Sequence, residues 1–167
     1  MPANYRVVLA DDHAFIRNGL RSILEQSAEF KVISEASDGQ ELLNVLDQGI
    51  LPDVLVLDLS MPIIPGIEAL RQIRQKSFVF RVLVLTLHRD PDLLCRTFLS
   101  GANGYLLKDE MVSELLPALR TLLENRIYIS PRLANELPGA CQIKDAAERK
   151  LVSPSIGHCP KDLAHSA

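Results

Sequence analysis

Five polar side chains stand where long apolar runs stop, and their types suit one chemistry. Asp11 and Asp12 follow the run Arg6–Ala10 (RVVLA), and Asp58 ends Asp53–Asp58 (DVLVLD). Thr86 lies at the end of Arg81–Leu87 (RVLVLTL), just before His88, and Lys108 closes Asn103–Leu107 (NGYLL), three residues after Tyr105. Three carboxylates gathered in one pocket repel one another, so at least one pKa must rise. A hard divalent cation removes that conflict, and carboxylate, carbonyl and water ligation suits Mg²⁺. A lysine and a threonine hydroxyl beside such an ion supply the charge neutralisation and the oriented donor that a transferred phosphoryl group needs. An aspartate carboxylate can be the nucleophile that receives it.

Taken singly, each residue has a plainer reading. An Asp after a strand is commonly an N-cap or turn residue, and the Asp11-Asp12 pair also suits the positive end of a first helix. A lone Lys is usually solvated, and a Thr at a strand end is ordinary. Convergence decides the matter, because all of them leave strands at what must be one edge.

That edge follows from the elements. Short apolar, β-branched runs occur at Arg6–Ala10, Lys31–Glu35, Asp53–Asp58, Arg81–Leu87 and Asn103–Leu107. Several carry consecutive apolar residues, the mark of strands buried on both faces of a parallel sheet. Between them lie helical periods: Ile16, Leu20, Ile23 and Leu24 form one stripe, and Leu115, Leu119, Leu122 and Leu123 another. Asp90-Pro91 is a helix start and Gly101 suits that helix's end. The alternation predicts an α/β fold, a doubly wound five-stranded parallel sheet with helices on both faces. Ligands of such sheets bind outside the carboxyl ends of the strands, where the five polar residues lie.

With these residues in order, the chain over residues 5–126 resembles a response-regulator receiver domain of bacterial two-component signalling. VVLADDH, LVLDLSMPIIPGIEALRQIR, VLVLTLH and GANGYLLKD carry the resemblance in order and spacing, and GANGYLLKD with the later YISP is similar to the NarL/LuxR-type branch. The resemblance implies the flavodoxin-like strand order 2-1-3-4-5. It also implies Asp58 as phosphoacceptor from a sensor histidine kinase, with Asp12, Asp58 and the backbone carbonyl of Ser60 on Mg²⁺ and Asp11 acting mainly through water. Thr86 would bond the phosphoryl oxygen and Lys108 would pair with it. Tyr105 would be a rotameric switch altering the face of helix 4, strand 5 and helix 5. Ser60 and His88 occupy the two positions that tune hydrolysis in the family; His88 reads equally well as a solvated surface residue. On this reading the protein is a signalling switch rather than an enzyme, with a phosphorylation-dependent homodimer as a further expected partner state.

Some positions depart from the pattern. Lys108 is followed by Asp109 where many receivers have Pro, which weakens the case for a cis bond. Pro117 falls inside the fifth helical stripe, where an interior proline costs roughly 3 kcal/mol. Gly66 reads as the tight-turn residue after Met61-Pro62. A haloacid-dehalogenase-type phosphatase would want a second Asp at position 60, which is Ser60.

The domain reading is a receiver over residues 1–128, a linker or short helix over 129–137, with Ser130-Pro131 as its cap, and a flexible tail over 138–167. Within the tail, Ala146–Val152 reads as a short helical segment. The tail holds few large apolar residues, and from Ala134 on four basic residues balance four acidic ones (Glu136, Asp145, Glu148, Asp162). A neutral segment attracts phosphate little, so no helix-turn-helix output domain is read and direct nucleic-acid binding is not expected; a DNA-binding transcription regulator with a divergent or truncated output is the alternative. Cys141, His158, Cys159 and His165 match no standard zinc spacing, and Cys95 reads as a packing residue.

Composition fits this picture. The 167 residues are 47% apolar and 23% charged, with no Trp and a net charge of -3, which excludes global disorder and a strongly basic nucleic-acid footprint. Three cysteines form no paired framework. No membrane span or signal peptide is read, so the expected location is cytoplasmic.

Overall fold

Apolar runs become a parallel sheet in the computed structural model, which describes residues 4–137 and 139–152. The strands are β1 (Tyr5–Ala10), β2 (Phe30–Ala36), β3 (Val54–Asp58), β4 (Arg81–Thr86), β5 (Gly104–Leu107) and a short β6 (Tyr128–Ile129). Their order is β2-β1-β3-β4-β5-β6, every pairing parallel. The expected order holds and gains one strand: β6 aligns Tyr128 with Gly104 and Ile129 with Tyr105. Two residues are too short a run to read as a strand in sequence; the register of β5 makes them one.

Helices α1 (Ala14–Glu25), α2 (Gly39–Asp47), α3 (Gly66–Gln75), α4 (Pro91–Leu99) and α5 (Met111–Leu123) alternate with the strands. The strand period of two sorts the core into two layers. Val7, Leu9, Val56, Leu83, Leu85 and Leu106 face α1 and α5. Val8, Leu55, Leu57, Val82, Val84 and Leu107 face α2, α3 and α4. Local capping fixes the helix starts: Asp38 accepts from the Glu41 N–H at 2.7 Å, while Asp90 accepts from Asp92 at 3.0 Å ahead of Pro91.

Between α3 and the β4–β5 end of the sheet, Arg74 acts as a pin. Its guanidinium donates to the carbonyls of Phe78, Phe80 and Gly101 at 2.8–3.0 Å and to Asn103 Oδ1 at 3.1 Å. Burial pulls its pKa down to about 10, with a smaller push from Arg81.

Beyond β6 the chain is more ordered than the sequence reading holds. Over 129–137, read as a linker or short helix, stand β6 and the short helix α6 (Pro131–Glu136), and within the span read as a flexible tail from 138 the chain forms α7 (Ala140–Val152). The helical segment expected at Ala146–Val152 therefore starts earlier. The cause is a stripe that needs a partner: Leu133 and Ile143 are buried, and Leu137 and Ala147 pack with them against the α2–α4 layer. Helix α7 leans on α4, β6 and α6. The rest of the expected tail, with His158, Cys159 and His165, lies outside the described residues, as does the side chain of Cys141. Among the described residues no peptide bond is cis, Cys95 is buried in α4, and no helix is long and apolar enough to cross a membrane.

Candidate functional site

The carboxyl edge of the sheet collects the polar strand ends into one pocket. Asp11 and Asp58 leave the adjacent strands β1 and β3 and are each 1% exposed. Asp11 is held firmly: its carbonyl accepts from Arg17 at 2.6 Å, and its Oδ1 accepts from the His13 N–H at 2.9 Å. Asp58 Oδ1 accepts from the Ser60 N–H at 3.2 Å. Lys108, in the single 3₁₀ turn Lys108–Glu110 after β5, reaches both: its Nζ lies 3.0 Å from Asp11 Oδ2 and 3.4 Å from Asp58 Oδ1.

This charge balance is unfinished. Asp11, Asp12, His13 and Asp58 each bring one donor atom to within 4.8 Å of the others. Three carboxylates face one ammonium, a formal excess of two negative charges. Asp58 Oδ2 is buried without a hydrogen-bond partner, and Asp11 Oδ2 has the ammonium nearby but no aligned hydrogen bond. Burial pushes the Asp58 carboxyl above the usual carboxylate range; the Asp11 charge adds to that, while the Ser60 N–H and Lys108 oppose it. Orphaned buried carboxylate oxygens with excess negative charge are the donor set a hard divalent cation fits.

The remaining expected residues surround this pocket. Thr86 is buried at the end of β4, one residue beyond the pairing of Asp58 with Leu85, and its Oγ1 accepts from the His88 N–H at 3.1 Å. Tyr105 is fully buried and its hydroxyl donates to the His88 carbonyl at 2.8 Å. Burial holds that phenol well above its ordinary pKa, against a smaller pull from a hydrogen bond with Thr86. Ser60 and His88 are exposed, with Ser60 Oγ and His88 Nε2 3.5 Å apart at the pocket's mouth.

Two residues matter here that the sequence reading passed over or assigned differently. Gly66 is a close-approach residue: a methyl there would overlap the Asp58 carbonyl oxygen and stand 2.7 Å from Leu59 Cα. The left-handed residue of the β3–α3 connection is instead Ile63, at φ 68°. His13 has its Nδ1 2.9 Å from Asp12 Oδ1 and 3.3 Å from Asp11 Oδ1. Only adjacency to Asp12 could have signalled it in sequence.

Comparison with known proteins agrees with this geometry. Residues 7–120 match the family described as response regulator receiver domain. The transcriptional regulatory protein DegU of Brevibacillus brevis is 33% identical over 132 residues, 79% of this chain and 56% of its own length. A LuxR-family two-component response regulator from Aurantimonas sp. SI85-9A1 superposes with a TM-score of 0.75 at 35% identity, covering 80% of this chain and 95% of its own. The isolated REC domain of RcsB from Salmonella enterica serovar Typhimurium, solved in the presence of phosphomimetic BeF3-, gives a TM-score of 0.75 at 29% identity over 81% of this chain and 99% of its own. The chain spans 56–70% of the length of curated relatives such as DegU.

Proposed function

The chain belongs to the response regulator receiver family, in its NarL/LuxR branch, and from that premise we propose that Asp58 takes a phosphoryl group from a histidine of a sensor kinase. One observation carries this reading: a buried Asp58 carboxylate with an unpartnered Oδ2, flanked by Asp11 and reached by Lys108. Asp58 oxygen attacks phosphorus, the P–N bond of the donor phosphohistidine breaks, and the donor imidazole leaves neutral once it has its proton. Asp12, Asp58 and the Ser60 carbonyl would hold Mg²⁺ directly and Asp11 through water. The ion supplies charge neutralisation for the phosphoryl oxygens. Lys108 pairs with the phosphoryl group in place of its contact with Asp58, and the Thr86 hydroxyl turns toward a phosphoryl oxygen. That motion frees the His88 N–H, and Tyr105, bonded to the same residue, transmits it to the face of α4, β5 and α5. Ser60 and His88, at the mouth, control the water that later hydrolyses the acyl phosphate.

A protein phosphodonor is supported by what rims the site. Of the six exposed large apolar side chains among the described residues, four sit on connections or first turns at this edge: Phe15, Ile63, Leu87 and Val112. A small-molecule pocket would bury such groups; a docking surface exposes them.

The test is acetyl-phosphate labelling with Mg²⁺, read by intact mass and size exclusion on wild type and Asp58→Ala. One added phosphoryl group on wild type and none on the variant is expected, with a shift to dimer on labelling. No mass gain on wild type rejects the mechanism, and a gain without dimer assigns the output to a monomer. Transcription control, the role in DegU's name, is the second reading for this branch. Specific, salt-sensitive DNA binding in a gel shift with phosphodonor supports it, and its absence confines the chain to the switch.

A further inference from the structure

The phosphoryl chemistry above uses oxygen donors and a lysine; it has no use for the imidazole that stands beside them. His13 follows Asp12 directly and precedes α1, but its side chain caps nothing in that helix. Instead its own N–H is fixed on Asp11 Oδ1 at 2.9 Å, which leaves the ring against the pocket, Nδ1 2.9 Å from Asp12 Oδ1 and 3.3 Å from Asp11 Oδ1. Its donor atom is one of four, with those of Asp11, Asp12 and Asp58, that all lie within 4.8 Å of one another. Donors on opposite sides of a first-row ion at ~2.1 Å are about 4.2 Å apart, so a contraction of well under ~1 Å would close this set around a single ion. Independently of the ring, Asp58 Oδ2 is buried and unpartnered, and Asp58 is 1% exposed. That oxygen thus keeps its lone pairs for a ligand other than a hydrogen-bond donor of the chain. The ring itself is 62% exposed, so it can turn toward an ion without repacking the core.

We propose that His13 is a further ligand of this metal site, making it a carboxylate–imidazole centre that holds a borderline first-row divalent ion more tightly than its oxygen donors alone would, while Mg²⁺ is held by the oxygens. The proposal rests on the reading of the pocket as a divalent-cation site and adds a donor and a selectivity to it. Mg²⁺ takes hard oxygen ligands and gains little from a nitrogen, whereas Co²⁺, Ni²⁺ and Zn²⁺ gain strongly from imidazole. With three carboxylates supplying charge to either class of ion, the imidazole sets how much more tightly a borderline ion is held. If His13 serves only to orient Asp11 and Asp12 by hydrogen bonding, both classes of ion must depend on it alike.

That difference is measurable on the full chain without any phosphoryl transfer. Mg²⁺ and Co²⁺ are titrated separately by calorimetry, and Co²⁺ also by its visible absorption, on wild type, His13→Ala and His13→Phe. Loss of the ligand should weaken Co²⁺ binding at least ~10-fold and change its absorption band, with Mg²⁺ affinity held within about twofold; added imidazole should restore part of the band in His13→Ala. Unchanged Co²⁺ affinity, or Co²⁺ and Mg²⁺ affinities falling in parallel, overturns the proposal while leaving the Mg²⁺ phosphoacceptor reading intact. Failure of Mg²⁺ to bind wild type overturns that earlier reading instead.

Discussion

At the acceptor edge like charges are pressed together out of water; along the C-terminal segment opposite charges meet in water. Asp11 and Asp58 are buried side by side with one lysine between them. At the border of the C-terminal segment, Arg89 grips Glu136 of α6 at 2.9 and 3.1 Å and Asp109 at 2.9 Å, and Asp109 also takes Arg132 at 3.2 Å. All four of those side chains are largely exposed. The first arrangement is unfavourable by itself and is relieved by a proton on Asp58 or by a bound cation, which marks it as a candidate site. The second is already satisfied, weakly, and so serves to hold a segment in place.

The largest effect should come from removing the stored charge. Asp58→Asn should abolish phosphoryl incorporation outright, and it should also stabilise the metal-free protein. The sign follows from linkage. A folded-state pKa raised above the unfolded one means that the native state holds the extra proton, so this stability is full below the ordinary carboxylate value and is lost as pH rises through the raised value. Metal-free wild type should therefore lose stability relative to Asp58→Asn across that window and remain below it at pH 7. Each pKa unit is worth about 1.4 kcal/mol, or roughly 3 °C in melting temperature for a domain of this size. Melting curves from pH 4 to 8, with and without Mg²⁺, check this; equal curves for both proteins would show that the edge stores nothing, and Mg²⁺ should close the gap from the wild-type side.

Gly66→Ala attacks the same edge through packing. The added methyl meets backbone, the Asp58 carbonyl and Leu59 Cα, rather than a side chain that could swing away. Overpacking of this kind costs roughly 1–3 kcal/mol, and here it should displace Asp58 as well. A lower melting temperature together with slower acetyl-phosphate labelling is expected. A stability loss with labelling unchanged would detach Gly66 from the site.

Pro117→Ala tests a cost that belongs to neither region. Helix α5 starts at Met111, so Pro117 is interior, exposed, and without the N–H that would bond the Ser113 carbonyl. The surrounding helix persists around it, so the recoverable part is put at about 1 kcal/mol of the full penalty. The melting temperature should rise by a few degrees. A melting temperature equal to or below wild type would mean that the helix is shaped to its proline.

The contrast between the two regions also explains what could be read from sequence. Asp11, Asp58, Thr86 and Lys108 were legible because each closes an apolar run, and in a parallel sheet strand ends share an edge without further information. Strand β6 was not, because Tyr128-Ile129 pairs only against the exposed edge of β5. Helix α7 was legible only in its second half, Ala146–Val152, because Ile143 and Ala147 make a stripe only once Leu133 and Leu137 stand opposite. Gly66 was assigned to a turn because the approach of α3 to the Asp58 carbonyl is tertiary, while the left-handed position fell on Ile63, a residue that gives no such signal. His13 has no periodicity to betray it; its meaning lies in distances to two carboxylates.

The smallest effect joins the two regions. Residues 86–89 belong to both: Thr86 Oγ1 accepts from the His88 N–H, the His88 carbonyl accepts from Tyr105, and Arg89 next door holds Glu136. Arg89→Ala and Glu136→Ala should each leave the global melting temperature almost unchanged, because exposed ion pairs contribute little. Their effect should fall on amide exchange over residues 139–152, faster by a few-fold in either variant and no faster in the double variant, since both remove one interaction. High salt should reproduce it in wild type. If the acceptor edge moves Thr86 and His88 on phosphorylation, acetyl phosphate with Mg²⁺ should speed the same amides in wild type and add nothing in Arg89→Ala. Acceleration that survives the loss of Arg89 would mean that the C-terminal segment is reached through α4 packing instead, and that the ion pairs at its border only decorate the contact.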